Sequence, residues 1–317
     1  SGVSFAHTMI ARKVISIRCD GRTGKLRTKG VQMSRPIILR SLVVVGAASL
    51  ALAGCSSDSG SSDSSASPSA ESSAAQGDGT LKIGTLLPQT GSLAFLGPPE
   101  FAGVDLAVEE INAAGGVNDA QVESIVGDSG DTSTNIASQT VDRQLSQGVD
   151  AIIGAASSAV SLTVIDKITS AGVQQVSPAN TSPEFSTYPD KGLYARTAPP
   201  DTFQGQVLGD LVAGDGNTTM AILALDDAYG TGLADNVEKA FTAAGGTIAS
   251  KQIYDPKATS FEAEVSEAKA SNPEAVVLIG FDESSKVIQE MIKQGIGPNK
   301  VPLYLCDGNM SNTAYVN

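Results

Sequence analysis

Short, continuously apolar segments alternate with amphipathic helical ones through most of this chain, and that alternation limits the fold more than any other feature. "LKIGTLL" begins at Leu81, and a helix follows with Phe101, Val104, Val108 and Ile111 on one face and Asp105, Glu109 and Glu110 off it, ended by Gly115-Gly116. "VESIVGD" precedes a helix over 133–147, "DAIIGA" precedes one carrying Val160, Val164, Ile165 and Ile168, and "VQQVSP" comes next. A second series runs from "TTMAILALDD" through a helix with Leu233, Val237, Ala240 and Phe241 to "TIASKQIYD". It continues through a helix near 260–271, "EAVVLIGF", a helix with Val287, Ile288, Met291 and Ile292, and "VPLYLCDG". A strand that is apolar on both faces must be covered on both faces. Only a parallel sheet with helices on each side does that for strand after strand. The expected fold class is therefore α/β, built as two successive units of similar design.

Pro199-Pro200 cannot continue a strand or a helix, which makes "RTAPPDTF" the expected crossover between a first lobe at 81–198 and a second at 199–317. The chain stops at Asn317, shortly after the last strand, so the second lobe reads as incomplete. Ahead of the lobes, "MSRPIILRSLVVVGAASLALAGC" (33–55) has a charged start at Arg35 and Arg40 and an apolar stretch at Leu42–Ala53. That stretch is short for a membrane span and of secretory length, so 33–54 is expected to be a signal peptide. Residues 1–32 fit no part of such a signal and are expected to be an unstructured upstream extension. Residues 55–80 are rich in Ser and Gly with little to bury, and are expected to form a disordered tether. As a flexible coil it would span roughly 25–30 Å.

Composition removes whole classes of function. Residues 1–54 carry nine Lys/Arg against one acid, whereas the rest carries twelve against thirty-three. A body that acidic repels phosphate backbones, which excludes nucleic acid as a partner. The one histidine, His7, lies in the leader, so the body lacks the base of Ser-His-Asp and Cys-His sites and the commonest zinc ligand. Cys19, Cys55 and Cys306 are too scattered to form a disulfide framework, and Cys306 reads as a small buried apolar group. "VGDSGD" (126–131) has the look of a protease nucleophile segment but no base to serve it; Asp128 and Asp131 are expected to cap the helix that follows. No phosphate-binding glycine loop and no calcium loop is present, so neither a cofactor nor a metal is expected.

Chemistry concentrates where strands end. In "GAASSAVS" (154–161) a strand gives way to small residues and then to a helix that begins with hydroxyls. Free N–H groups and partial positive charge at such a helix start suit a carboxylate, although Ser157 or Ser158 could equally serve as a plain N-cap. "SPANTSPEF" (177–185) again follows a strand end, and ligands of open α/β sheets sit outside those ends. In the second half, Tyr229, Phe281 and Asp307 hold the same position after their strands.

Taken in order, "KIGTLLPQTGSLAFLG", "FAGVDLAVEEINAAGGV", "GAASSAVS", "SPANTSPEF", "RTAPPDTFQG" and "YGTGLAD", with "GF" before the last helix, resemble the branched-chain amino acid substrate-binding proteins of ABC importers, the Leu/Ile/Val type of periplasmic binding protein. The resemblance covers most of 81–317. It implies two Rossmann-like lobes hinged to close on a ligand, no catalysed reaction, and ABC permease subunits as membrane partners of a monomer. Carried over residue by residue, Ser157 and Ser158 take the ligand's α-carboxylate, within the loop that contains Asn180 Thr181 bridges carboxylate and ammonium, and the Ala179 carbonyl accepts from the ammonium. Asp307 stands where the family has a glutamate for the ammonium, and Tyr229 and Phe281 wall the side chain. Phe281 replaces a frequent tyrosine, and Leu96 falls where the family has another at the entrance. Those departures admit a different amino acid, an amide or an aromatic acid; a ligand-sensing role on the same fold is the alternative to transport. Leu52-Ala53-Gly54-Cys55 resembles the bacterial lipoprotein signal, which implies a lipidated Cys55 and an extracytoplasmic protein anchored to the outer face of the cell membrane.

Overall fold

A computed structural model describes residues 78–310, 312 and 315 of the chain. The leader, Cys55 and the serine-rich run lie outside the described residues. Five strands form the first sheet: β1 (Lys82–Leu86), β2 (Glu123–Ile125), β3 (Ala151–Gly154), β4 (Gln174–Ser177) and β5 (Tyr194–Arg196), in the order β2-β1-β3-β4-β5. Helices α1 (Gly97–Ala113), α2 (Ile136–Ser146) and α3 (Ser158–Ser170) connect them. The second sheet holds β6 (Thr219–Leu225), β7 (Thr247–Tyr254), β8 (Ala275–Ile279) and β9 (Leu303–Leu305) in the order β7-β6-β8-β9. With it go α4 (Asp201–Gly214), α5 (Gly230–Ala243), α6 (Glu262–Ala270) and α7 (Ser284–Gln294). Every strand pairing is parallel. The described chain is thus two α/β lobes with parallel sheets, as the alternation requires.

Burial explains why the strands read as unbroken apolar runs. Each residue of β8 is fully withdrawn from water, as are Met220, Ala221, Ile222, Leu223 and Ala224 of β6. Side chains such as Ile222 and Leu223 contribute about 1.5–3 kcal/mol each by that transfer. The helices close the layers: Leu233, Val237, Ala240 and Phe241 of α5 are buried as their spacing predicts, and Val160, Val164, Ile165 and Ile168 of α3 likewise. Ile292 of α7 is 59% exposed, whereas Val287 and Met291 of the same apolar series are buried.

Strand order positions the site. In the first sheet the direction of winding reverses between β1 and β3, and in the second between β6 and β8. Chains leaving those neighbours diverge, which opens a crevice at the carboxyl end of each sheet. Register keeps the ends level: Leu86 pairs with Gly154, and Ala224 with Ile279. Gly154 turns the chain there at φ 130°, and a Cβ on it would overlap the Leu86 carbonyl oxygen. No other residue suits that corner.

The structure adds two elements that the alternation does not mark, β5 before Pro199-Pro200 and α4 after it, and it corrects one expectation. Asp128 and Asp131 do not cap α2, which starts at Ile136 with Asn135 before it and no side-chain cap. Asp128 instead gathers the β1 loop, accepting from the Gln89 and Thr90 amides at 2.9 and 3.2 Å and from the Thr90 hydroxyl at 2.6 Å. Asp131 closes a tight turn by accepting from the Ser133 amide at 2.8 Å.

Candidate ligand-binding site

The two crevices face a shared cavity of about 350 Å³. Every loop that reaches it leaves the carboxyl end of a strand: Leu93 and Leu96 after β1, Ser157 and Ser158 after β3, Ala179 and Thr181 after β4, Pro199 after β5. From the second sheet come Tyr229 after β6, Phe281 after β8 and Asp307 after β9. Eight of the residues singled out in the sequence therefore meet in one place.

One wall is built from donors. Ser157 is the N-cap of α3, its Oγ accepting from the Val160 amide at 3.3 Å, so the capping reading of this residue holds in the structure. Ser158 Oγ accepts from the amides of both Thr181 and Ser182 at 3.2 Å, which ties the β3 and β4 loops together. With its lone pairs so engaged, the hydroxyl proton of Ser158 remains to be donated. Free amides at the start of α3 add partial positive charge. Ala179 donates its amide to Ser177 Oγ at 3.2 Å, while no described group donates to its carbonyl. Thr181, 4% exposed, lines the cavity, and its carbonyl accepts from the Asp201 amide at 2.8 Å.

Asn180 is placed elsewhere. It is fully buried and does not line the cavity; its Nδ2 donates to the Ala155 and Ala156 carbonyls at 3.0 and 2.8 Å, and its Oδ1 accepts from the Tyr194 hydroxyl at 2.9 Å. Its work is to brace the β3 loop. Burial pushes the Tyr194 phenol well above its ordinary range, so it stays protonated as the donor to Asn180.

The opposite wall is acidic. Asp307 Oδ1 accepts from the Tyr229 hydroxyl at 2.7 Å, from Gln204 Nε2 at 2.8 Å and from the Gly308 amide at 2.9 Å. Three donors on one oxygen fix the carboxylate and leave Oδ2 for a ligand. Burial raises the Asp307 carboxyl above its ordinary range, and the Tyr229 hydroxyl opposes that rise. Tyr229 stacks on Phe281 with centroids 5.2 Å apart and planes 11° from parallel. Asp227 Oδ1 holds Tyr229 by accepting from the amides of Tyr229 and Gly230 at 2.9 and 2.7 Å, and burial lifts its carboxyl to about 6. Glu283 Oε1 holds Phe281 in the same way, at 2.9 Å from its amide, and also accepts from the Tyr254 hydroxyl at 2.9 Å. A Cβ on Gly280 would overlap both Tyr254 Oη and Glu283 Oε1, so glycine is required where Phe281 leaves β8.

Two polar residues of the cavity, and a third buried behind it, carry no signal in the sequence. Gln204 lies on α4. Glu100, in the first turn of α1, lines the cavity with Oε2 buried and without a partner; burial lifts its carboxyl to about 7. Asp201 lies next to Thr181, fully buried, and neither of its carboxyl oxygens meets a donor in hydrogen-bond geometry. Burial lifts it to about 7, with Asp307 adding to the rise. Among the described residues no cluster of three or more His, Cys, Asp or Glu could hold a metal ion, and no helix is long and apolar enough to cross a membrane.

A family model described as periplasmic binding protein matches residues 80–314. The chain belongs to the periplasmic binding protein family. One relative, the leucine-, isoleucine-, valine-, threonine- and alanine-binding protein of Pseudomonas aeruginosa, is 30% identical over 217 residues, covering 68% of this chain and 57% of that protein. The branched-chain amino acid transporter substrate-binding protein LivJ of Streptococcus pneumoniae, solved in complex with isoleucine, has a TM-score of 0.61 at 28% identity, with 72% of this chain and 64% of that one covered. The chemotactic signal transduction system substrate-binding protein BasB of Halobacterium salinarum is 30% identical over 228 residues, 68% of this chain and 54% of that protein. This periplasmic binding protein chain thus spans about three-fifths of the length of the relatives it matches. Its two-lobed parallel architecture is the type I form of the family.

Proposed function

We propose that this chain captures an amino acid between its two lobes, 81–198 and 199–317, outside the cytoplasm and delivers it to an ABC importer. The observation that carries the reading is the polarity of the cavity: hydroxyl and amide donors at the start of α3 on one wall, the free Oδ2 of Asp307 on the other. A zwitterion needs donors at one end and a carboxylate at the other. Ser157 and Ser158 take the α-carboxylate, Thr181 and the Ala179 carbonyl stand between the two charges, and Asp307 accepts from the ammonium. Tyr229, Phe281 and Leu96 enclose the side chain. Capture is binding without turnover, a reading supported by the binding proteins of the family the chain belongs to. Lipidation of Cys55 would hold the protein, as a monomer, at the outer face of the membrane.

The reading is tested by thermal denaturation of the full chain against single amino acids. A ligand at one hundred times its Kd stabilises by about 2.7 kcal/mol, a shift of several degrees in Tm. No shift with aliphatic, aromatic or polar amino acids would refute it. Sensing is the second reading, favoured by the likeness to BasB, whose name places it in chemotactic signalling. Uptake of labelled ligand that is lost on deletion supports import; intact uptake with lost taxis supports sensing.

A further inference from the structure

Glu100 is out of place in the cavity as so far described. Leu93 and Leu96 line the cavity with it, and no Lys or Arg does. No described group donates a hydrogen bond to either of its carboxyl oxygens, and Oε2 is buried. A buried acceptor left unsatisfied costs about 1–3 kcal/mol, and of the three carboxyl groups with such an oxygen among the described residues, Glu100, Asp201 and Glu283, Glu100 alone lines the cavity. Both positions where the resemblance expects a tyrosine hydroxyl, 96 and 281, are filled by hydrocarbon, Leu96 and Phe281. Of the other polar side chains of the cavity, Gln204 and Tyr229 donate to Asp307, and in the amino-acid reading Ser157, Ser158, Thr181 and Asp307 are taken up by the ligand's α-carboxylate and α-ammonium.

We infer that Glu100 is a specificity-determining residue, and that the ligand is an amino acid whose side chain ends in a nitrogen donor, a carboxamide or an ammonium. The inference rests on the amino-acid reading above and narrows it. Such groups carry two or three N–H donors, enough for both carboxyl oxygens, whereas a hydroxyl carries one and a branched aliphatic chain none. An aliphatic ligand would bury Glu100 still unpaired; a donor-bearing one would replace the water it displaces with a charge-assisted bond. The α-ammonium is meanwhile met by Asp307, so the two carboxyls serve two different nitrogens.

Isothermal titration of the full chain at pH 7 tests this with isosteric and near-isosteric pairs: asparagine against leucine, and glutamine and lysine against norleucine. At least one nitrogen ligand is expected to bind tenfold or more tightly than its apolar counterpart. Glu100→Leu should reverse that preference. Glu100→Gln, which keeps the shape and is the safer variant for folding, should lose tenfold on lysine and stay within about threefold on a carboxamide, which also tells the two nitrogens apart. Leucine or norleucine binding as tightly as the nitrogen ligands, with Glu100→Gln indifferent, overturns the inference and leaves the amino-acid reading standing. Failure of every amino acid to bind overturns both.

Discussion

Asp307→Asn separates the binding role of this residue from its structural one. In the wild type, Oδ1 takes three hydrogen bonds, from Tyr229, Gln204 and Gly308. Asparagine keeps an oxygen there, so the three donors stay satisfied and the wall keeps its shape. What changes is Oδ2, which becomes an NH₂ group facing the ligand's ammonium: an ionised acceptor is exchanged for a neutral donor. A hydrogen bond to a charged group is worth about 1.5–3 kcal/mol. At 1.4 kcal/mol per decade affinity should fall roughly 10- to 150-fold. Stability should move the other way. Burial raises the Asp307 carboxyl above its unfolded value, so at pH 7 the ionised group costs folding free energy that the amide does not. Titration calorimetry and a melting curve on the same preparation read both effects. Affinity within about twofold of wild type, with Tm unchanged or raised, would refute the assignment of Asp307 to the ammonium.

Gln204→Ala removes one of the three donors and leaves Tyr229 and Gly308; affinity for the same ligand should fall by about 1 kcal/mol, the net worth of one hydrogen bond, measured by calorimetry. Ser158→Ala strands the Thr181 and Ser182 amides that now share its oxygen, so both Tm and affinity should drop, by about 1–3 kcal/mol in stability on chemical denaturation. Glu100 and Asp201, each lifted to about 7, and Asp227, lifted to about 6, ionise at higher pH folded than unfolded. Stability of the ligand-free protein is then greatest below about pH 4 to 5 as far as these three groups decide it, and declines as pH rises through 6 and 7. Melting curves across that range should show the decline, and Asp201→Asn should flatten it.

Strands β6 and β8 are legible in the sequence as unbroken apolar runs, buried on both faces, and helices α3 and α5 by a single helical period that burial then follows. Helix α4 is not. Phe203, Val207 and Leu211 lie on its exposed side and Leu208 and Val212 on its buried side, so apolar residues occur all round and no face stands out. Strand β5 is three residues long at the sheet edge, with Arg196 reaching back to the Ser182 carbonyl at 2.7 Å; nothing so short carries a period. For the site, loops at strand ends were visible because parallel sheets put ligands there, and eight expected residues meet at the cavity. Asn180 shares the loop with Thr181, but which of two adjacent side chains turns inward depends on backbone geometry that spacing does not report. Glu100 and Gln204, one on each lobe, read as solvated helix residues until the other lobe stands opposite.

Leu93 leaves β1 of the first lobe, yet it is 6% exposed and packs within the hydrophobic cluster of the second sheet, with Phe95 and Leu96 against the same cluster. Parting the lobes returns that side chain to water, at about 1.5–3 kcal/mol for a leucine. Much of this cost arises from the seam between the lobes, where Leu93 meets the second-sheet cluster. It acts as a bias toward the shut form that every ligand shares, and it sets a floor on residence time that chemistry at Asp307 cannot lower. Shortening Leu93 to alanine would therefore speed entry and escape together, tuning how fast the protein exchanges its cargo.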